Sequence, residues 1–298
     1  MAENSSPEQT LRGLTRRADL LRSKGRYSEA ESCYRQALDL AEKIHGPEHL
    51  EVAIVLNNLG VVYKYLARFA DARRVYQRSL AIMERVLGPD HPDLATLYHN
   101  LGGVEHAAGN HAAGEPFARK SVEIRSKAPG PNHADVAADM AALAALLEGQ
   151  RKWDEAEQLY RRSLEILEAA HGEQNAEVAV ILNNLGTLCS STGRPADAEG
   201  FYLRALDVKE RVLGADHPEV GMTLNNLAVL FKTSGQYDRA EEYYRRAVSV
   251  FEKGLGAEHP KVAVTLENYA KLLRKMGRTE EAREIAKRAK SIRDAIGR

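Results

Sequence analysis

A 42-residue period constrains this chain more than any other feature of its sequence. Five glycines fall on one such series, and an alanine and an arginine occupy its other two points: Gly25, Ala67, Gly109, Arg151, Gly193, Gly235 and Gly277. No insertion or deletion interrupts the series. A fixed period in this range is typical of an array in which each unit buries its apolar face against its neighbours.

The period divides the chain into seven units. We expect a single solenoid over residues 8–298, preceded by a short N-terminal tail at residues 1–7. The predicted units are 8–49, 50–91, 92–133, 134–175, 176–217, 218–259 and 260–298.

The residue pattern inside each unit is helical. In unit two, apolar residues recur at helical spacing over residues 51–88, without the alternation that is typical of a strand. Prolines suited to a first helical position stand at Pro92, Pro218 and Pro260. The residue on the glycine series then ends the first helix and begins a tight turn. Each unit is therefore predicted to be a helical hairpin.

A column of histidines precedes the first helices, and Asn175 replaces the histidine of one unit. Successive units hold these side chains apart, whereas a metal ion needs ligands that converge on one point. We therefore expect helix capping or turn bonding, and no metal site, from His49, His91, His133, His217 and His259.

Small residues indicate where the two helices of a hairpin approach each other closely. One column holds only glycine or alanine: Ala18, Gly60, Gly102, Ala144, Gly186, Ala228 and Ala270. Together with the "LNNLG…Y…A…Y" spacing and the "LGPDHP" linkers, this pattern resembles the tetratricopeptide repeat in the 42-residue form of kinesin light chains. The resemblance implies an all-α fold, a right-handed superhelical solenoid of seven helix-turn-helix hairpins, with a peptide-binding groove.

Pairs of adjacent asparagines recur inside the first helices, although asparagine is a mediocre helix former. On a helical wheel they share a stripe with Ile54, Val61 and Lys64 that would face the groove. There an amide can both donate to and accept from the backbone of an extended peptide. The alternative, which the sequence leaves open, is that each amide bonds the neighbouring hairpin and fixes the stacking. The candidate groove asparagines are Asn57, Asn58, Asn100, Asn183, Asn184, Asn225, Asn226 and Asn268.

Basic residues also gather along the stripe. The candidate groove cations are Lys64, Lys232, Lys271 and Arg274. They predict a peptide in which acidic residues flank an apolar or aromatic anchor. The alternative is that they are ordinary solvated charges on exposed helix faces.

The composition narrows the function classes. Net charge is zero, from 42 basic and 42 acidic residues, so bulk attraction to nucleic acid or to an anionic membrane is not indicated. The stretch "MAENSSPEQT" lacks the apolar core of a secretory signal, and no apolar run approaches a membrane span.

No phosphate loop, nucleophile motif or metal motif breaks the period. We therefore expect a noncatalytic, cytoplasmic scaffold for a protein or peptide partner, with no cofactor and no nucleic-acid or membrane partner. We expect a monomer. The alternative is a structural or self-associating array without a dedicated peptide groove.

Overall fold

The computed structural model describes residues 6–296 of the chain, which groups into two compact units, Met1–Leu159 and Tyr160–Arg298. All regular structure among the described residues is α-helical, which confirms the predicted fold class. The helices are α1 (Pro7–Ser23), α2 (Tyr27–His45), α3 (Leu50–Tyr65), α4 (Phe69–Leu87), α5 (Leu94–Ala107), α6 (His111–Lys127), α7 (Ala134–Gly149), α8 (Trp153–His171), α9 (Ala176–Ser191), α10 (Pro195–Leu213), α11 (Pro218–Thr233), α12 (Tyr237–Leu255), α13 (Pro260–Lys275) and α14 (Thr279–Ile296).

Consecutive helices pair as predicted hairpins within each compact unit. The first unit holds the pairs α1–α2, α3–α4 and α5–α6, and the second holds α9–α10, α11–α12 and α13–α14. A first helix also packs against the second helix of the hairpin before it at α3 on α2, α5 on α4, α7 on α6, α11 on α10 and α13 on α12.

Two helix starts differ from the sequence prediction. Helix α5 begins at Leu94, with Asp93 as its N-cap, so Pro92 lies before the helix; Pro218 and Pro260 do begin α11 and α13. Residues 1–5 of the predicted tail lie outside the described residues. Pro7, its last residue, already begins α1, because the side chain of Ser6 caps this helix by accepting a bond from the backbone N–H of Gln9.

The turn between the two helices of each hairpin requires a left-handed residue, which explains the glycine series. All seven points of the series have positive φ, and Ala67 and Arg151 hold φ values of 56° and 62° without being glycine. After Ala67, the backbone N–H of Arg68 bonds the carbonyl of Tyr63 at 2.9 Å, which closes the helix end. The predicted tight turn is confirmed at every point.

Four of the five histidines in the column cap helices and His91 makes a turn bond before α5, accepting from the backbone N–H of Asp93 at 3.3 Å, as the prediction of capping or turn bonding allows. His49 Nδ1 accepts a bond from the backbone N–H of Glu51 at 3.2 Å, and His133, His217 and His259 cap α7, α11 and α13 in the same way. Asn175 takes over this function for α9 with its side-chain oxygen. Each side chain satisfies a backbone donor that a helix start leaves unpaired.

The column of small residues allows the helices of a hairpin to approach closely. A Cβ atom on Gly60 would lie 2.6 Å from the ring of Tyr76, and one on Gly186 would lie 2.6 Å from the ring of Tyr202. Tyr76 is completely buried. These two hairpins are thus closed by a tyrosine ring of the second helix packed on the bare backbone of the first helix, whereas Gly102 in the third hairpin faces Ala118.

Candidate functional site

The first helices of each compact unit present one partly exposed face. In the first unit α3 contacts α5 and α5 contacts α7; in the second, α9 contacts α11 and α11 contacts α13. Ile54 and Val264, at equivalent positions on α3 and α13, are each 47% exposed. We call this surface the first-helix face. In each repeat it consists of the positions equivalent to Ile54, Asn57, Asn58, Val61 and Lys64.

Four asparagines of the first-helix face bond one another between neighbouring helices. Asn100 Nδ2 on α5 donates to Asn57 Oδ1 on α3 at 2.8 Å. The bond recurs in the second compact unit, where Asn226 Nδ2 donates to Asn183 Oδ1 at 3.2 Å. In both cases the second asparagine of one repeat meets the first asparagine of the repeat before it, so these amides tie adjacent hairpins together.

The remaining asparagines are differently placed. Asn58 Oδ1 accepts only a long bond of 3.4 Å from its neighbour Asn57. Within the described part of the chain, the half-buried side chains of Asn184, Asn225 and Asn268 make no hydrogen bond. The Oδ1 atom of Asn225 is buried as well as unpartnered, which leaves a polar atom unsatisfied on this face.

Two apolar pockets open on the first-helix face, four repeats apart in the sequence and at the same position of the repeat. The Met83 pocket, of about 280 Å³, is lined by Leu50, Ile54, Asn57, Met83, Thr96 and Leu97. The Phe251 pocket, of about 240 Å³, is lined by Met222, Asn225, Asn226, Phe251, Val264 and Thr265. Asp93 borders the first pocket, whereas Lys261 borders the second.

At the position of these two pockets, the residue near the end of the second helix differs among the repeats. Met83 and Phe251 share one column with Arg125 and Lys209. Arg125 Nε donates to Asp139 Oδ2 at 2.7 Å, and the buried ammonium of Lys209 pairs with Glu219 Oε2 at 3.1 Å. Two repeats therefore hold an apolar pocket where two others hold an ion pair.

Asp139 belongs to a cluster that the sequence did not predict. Its side chain is 2% exposed and bonds both Arg125 and His99, with His99 Nδ1 to Asp139 Oδ1 at 2.7 Å. The sequence does carry a sign of this cluster, because Asp139 is a carboxylate in a column that is apolar in other repeats, at Val55, Leu97 and Ile181. The cluster places the ring of His99, 37% exposed, on the first-helix face.

The predicted cations of the second compact unit lack acidic partners. Among the described residues, no carboxylate pairs with Lys232, Lys271, Arg274 or Lys275. The pKa of Lys232 is lowered, first by desolvation and then by repulsion from Lys271 and Lys275. Lys64, in the same column as Lys232, also has a pKa lowered by desolvation.

No group of three or more His, Cys, Asp or Glu side chains is arranged to hold a metal ion in residues 6–296. In the same part of the chain, none of the helices combines the length and the apolar character that a membrane crossing needs.

Comparisons with known proteins agree with the repeat pattern. The family model described as tetratricopeptide repeat matches residues 9–85, 65–113, 93–169, 139–211, 177–253 and 233–295. A search of curated proteins gave no match.

Solved structures show the same fold at low sequence identity. The TPR-like repeats of a putative kinesin light chain from Podosopora anserina are 20% identical, with a TM-score of 0.59 over 70% of this chain and 100% of that chain. A Rap protein complexed with Competence and Sporulation Factor is 13% identical, with a TM-score of 0.69 over 99% of this chain and 77% of that chain. Aspartyl phosphate phosphatase F from Bacillus subtilis is 12% identical, with a TM-score of 0.64 over 98% of this chain and 96% of that chain.

Proposed function

This chain belongs to the tetratricopeptide repeat family, and we propose that it binds an extended, acidic segment of a partner protein on its first-helix face. The family and the fold support a protein-interaction scaffold in general. One structural relative carries Competence and Sporulation Factor as its ligand, which supports a ligand-binding use of this fold. The class of ligand is inferred from the charges and pockets of this chain itself.

The unpaired lysine cluster of the second compact unit is the observation that carries the proposal. Lys271 and Lys275 each repel the ammonium group of Lys232, and among the described residues no carboxylate pairs with any of the three lysines. Most other basic groups of this unit pair with acids, such as Arg278 with Glu241 at 2.6 Å. Carboxylates of a bound segment would relieve the repulsion, which favours an acidic ligand.

The Phe251 pocket supplies an apolar anchor site on the same two helices. Met222 lines the pocket, and Lys232 lies ten residues further along α11. Ten residues of helix span about 15 Å, and an extended chain covers about 3.3 Å per residue. A segment that runs along α11 would therefore place acidic residues about four to five positions from its apolar anchor.

An unpaired amide in the pocket would hold the backbone of the segment. Asn225 lines the pocket with its buried, unpartnered Oδ1, beside Asn226, which bonds Asn183. An asparagine oxygen accepts a backbone N–H, and its amide nitrogen donates to a carbonyl. In the proposal the paired asparagines maintain the stacking, whereas Asn184, Asn225 and Asn268 contact the ligand.

A fluorescence polarisation assay with designed peptides tests this function. The probe is a labelled 12-residue peptide, about 40 Å when extended, with one tryptophan and glutamates four and five residues away. We expect the Lys232→Glu, Lys271→Glu double variant to bind it at least about tenfold more weakly, which is 1.4 kcal/mol. Salt should weaken wild-type binding, because the electrostatic screening length falls from about 10 Å at 0.1 M to about 3 Å at 1 M.

A matched control makes the same charge change elsewhere. Lys287 and Lys290 are exposed on α14, so their double exchange to glutamate alters net charge equally without touching the first-helix face. Equal weakening in both double variants, or equal binding of a peptide with lysines in place of glutamates, would refute a specific acidic site. Unchanged melting temperatures are required of both variants.

The noncatalytic function and the monomeric state are parts of the same proposal. A phosphatase shares the fold, so the fold by itself does not decide against catalysis. Self-association is the alternative, and Leu20 gives it a specific surface because this side chain is 55% exposed, whereas Val62 and Val104 in the same column are buried. Light scattering over a hundredfold concentration range separates the two. The cytoplasmic location stays a prediction from the sequence.

A further inference from the structure

Three basic side chains meet in the first compact unit at the end of α5. The rings of His106 and His111 have centroids 5.2 Å apart and tilted by 55°. Lys64 on α3 lies near enough to repel a protonated His106, as His111 does. Among the described residues, none of these three side chains pairs with a carboxylate.

Two glycines make room for this arrangement. A Cβ atom on Gly103 would lie 3.0 Å from Lys64 Nζ, so the ammonium group extends over bare backbone of α5. Other repeats have Val61 or Val229 at the position of Gly103. A Cβ atom on Gly149 would lie 2.4 Å from the ring of His111, which shows how tightly this ring packs on α7.

The cluster also contains an unsatisfied polar atom. His111 Nδ1 is buried and has no hydrogen-bond partner. Lys64 is half-buried, whereas His106 is exposed, so a ligand can reach the cluster from the first-helix face. Partly desolvated cationic groups without a counterion favour an anion that brings its own acceptor oxygens.

We propose that Lys64, His106 and His111 form, within the first compact unit, a binding subsite for one carboxylate of an acidic peptide. The subsite rests on the proposed function, since an acidic ligand supplies the carboxylate. Lys64 Nζ and the exposed ring of His106 would contact the carboxylate oxygens directly. The ring of His111 would support His106 from behind as a positioning residue.

The acidic groups on the surrounding helices are engaged elsewhere. Glu105 on α5 bonds Arg73 on α4 and Asn110. Glu115 on α6 bonds Lys152 at 2.7 Å and Arg119.

On α7, Glu148 occupies the column of Lys64 and His106 and has an interaction of its own. The positive charge of Lys64, and that of His106 when it is protonated, is therefore available to a ligand.

Binding at this subsite depends on pH in a defined direction. In the free protein the pKa of His106 is lowered, first by desolvation and then by repulsion from His111 and Lys64. A bound carboxylate stabilises the imidazolium and raises this pKa. Affinity therefore rises as pH falls through the pKa of the bound form, and it levels off below the pKa of the free form. Each unit by which the anion raises the pKa corresponds to about tenfold in affinity.

Histidine NMR with acetate as the probe tests the subsite on the whole chain. The pKa of His106 is measured with increasing sodium acetate, and with sodium chloride at equal ionic strength as the control. We expect acetate to raise the pKa saturably and chloride not to do so. The Lys64→Met variant should raise the pKa of His106 in the free protein, because a repelling charge is removed, and should abolish the acetate effect.

A control variant and two other anions distinguish a carboxylate subsite from general anion binding. Lys43→Met removes an exposed lysine of α2 in the same compact unit and should leave the acetate effect intact. Phosphate active where acetate is not would overturn the carboxylate assignment, and equal effects of acetate and chloride would overturn the subsite. Since the acetate titration contains no peptide, its failure leaves the acidic-peptide proposal standing, and failure of the peptide assay does not affect the titration.

Discussion

Removal of the Asp139 carboxylate should destabilise the first compact unit strongly. Asp139 is 2% exposed and accepts bonds of 2.7 Å from both Arg125 Nε and His99 Nδ1. Loss of one partner from a buried ion pair costs about 3–5 kcal/mol, because the other charge stays desolvated. Arg125 retains 19% exposure, so water recovers part of this cost. We expect Asp139→Ala to reduce the free energy of unfolding by about 3 kcal/mol.

The neighbouring repeats provide the compensating variant. The columns of Asp139 and Arg125 contain Ile181 and Met83, respectively. Asp139→Ile combined with Arg125→Met replaces the ion pair by apolar residues that the same positions accept elsewhere. Such replacements are often neutral or stabilising by about 1–4 kcal/mol. We therefore expect the double variant to recover most of the stability that Asp139→Ala loses.

Urea unfolding followed by circular dichroism measures both effects. The midpoint and the slope are compared among wild type, Asp139→Ala, Arg125→Met and the double variant, so that the coupling between the two positions is obtained directly. A loss below about 1 kcal/mol for Asp139→Ala would refute the reasoning, since that is the scale of an exposed ion pair. So would a double variant that is no more stable than Asp139→Ala.

Two further predictions concern the turn and the acid response. Ala67→Gly should stabilise the protein by about 1 kcal/mol, measured by thermal unfolding, because a left-handed residue other than glycine costs about 1–2 kcal/mol; Ala70→Gly, inside α4, is the control that should destabilise. Desolvation acts to raise the pKa of Glu115, but hydrogen bonds from Lys152, Arg119 and Gln150 outweigh it and bring the pKa down to about 2. The folded-state pKa lies below the unfolded value, so Glu115 contributes stability above about pH 4.5 that is lost as pH falls toward 2. Glu115→Gln should flatten this part of the stability curve, and an unchanged curve would contradict the assignment.

The periodic features of the fold could be predicted from the sequence because they repeat. The glycine series fixes a backbone conformation that all seven hairpins need, and its two exceptions at Ala67 and Arg151 hold the same positive φ. The capping histidines act through the backbone two residues away, a local interaction that spacing reveals. The exact start of a helix is harder to predict, as Pro92 shows, because a proline before a helix and a proline at its first position look alike in the sequence.

The candidate site was harder to predict because it depends on contacts between repeats. Among the described residues, the same two asparagine columns give a bond between α3 and α5, where Asn100 donates to Asn57, and no bond between α11 and α13, where Asn225 and Asn268 stay unpartnered, so the column pattern does not reveal which amides pair. The pockets are lined from the ends of second helices, by Met83 and Phe251, which a wheel of the first helix does not include.

Site-specific photo-crosslinking shows whether an acidic peptide binds on the first-helix face at the Phe251 pocket. A photoreactive residue replaces Met222, in the Phe251 pocket, or Leu203, an exposed apolar side chain on α10 away from that face. The acidic tryptophan peptide is added to each variant, and the crosslinked position is mapped by mass spectrometry. We expect efficient crosslinking from position 222, to the tryptophan or its neighbours, and background labelling from position 203. Equal labelling from both positions, or labelling from 203 alone, would contradict it.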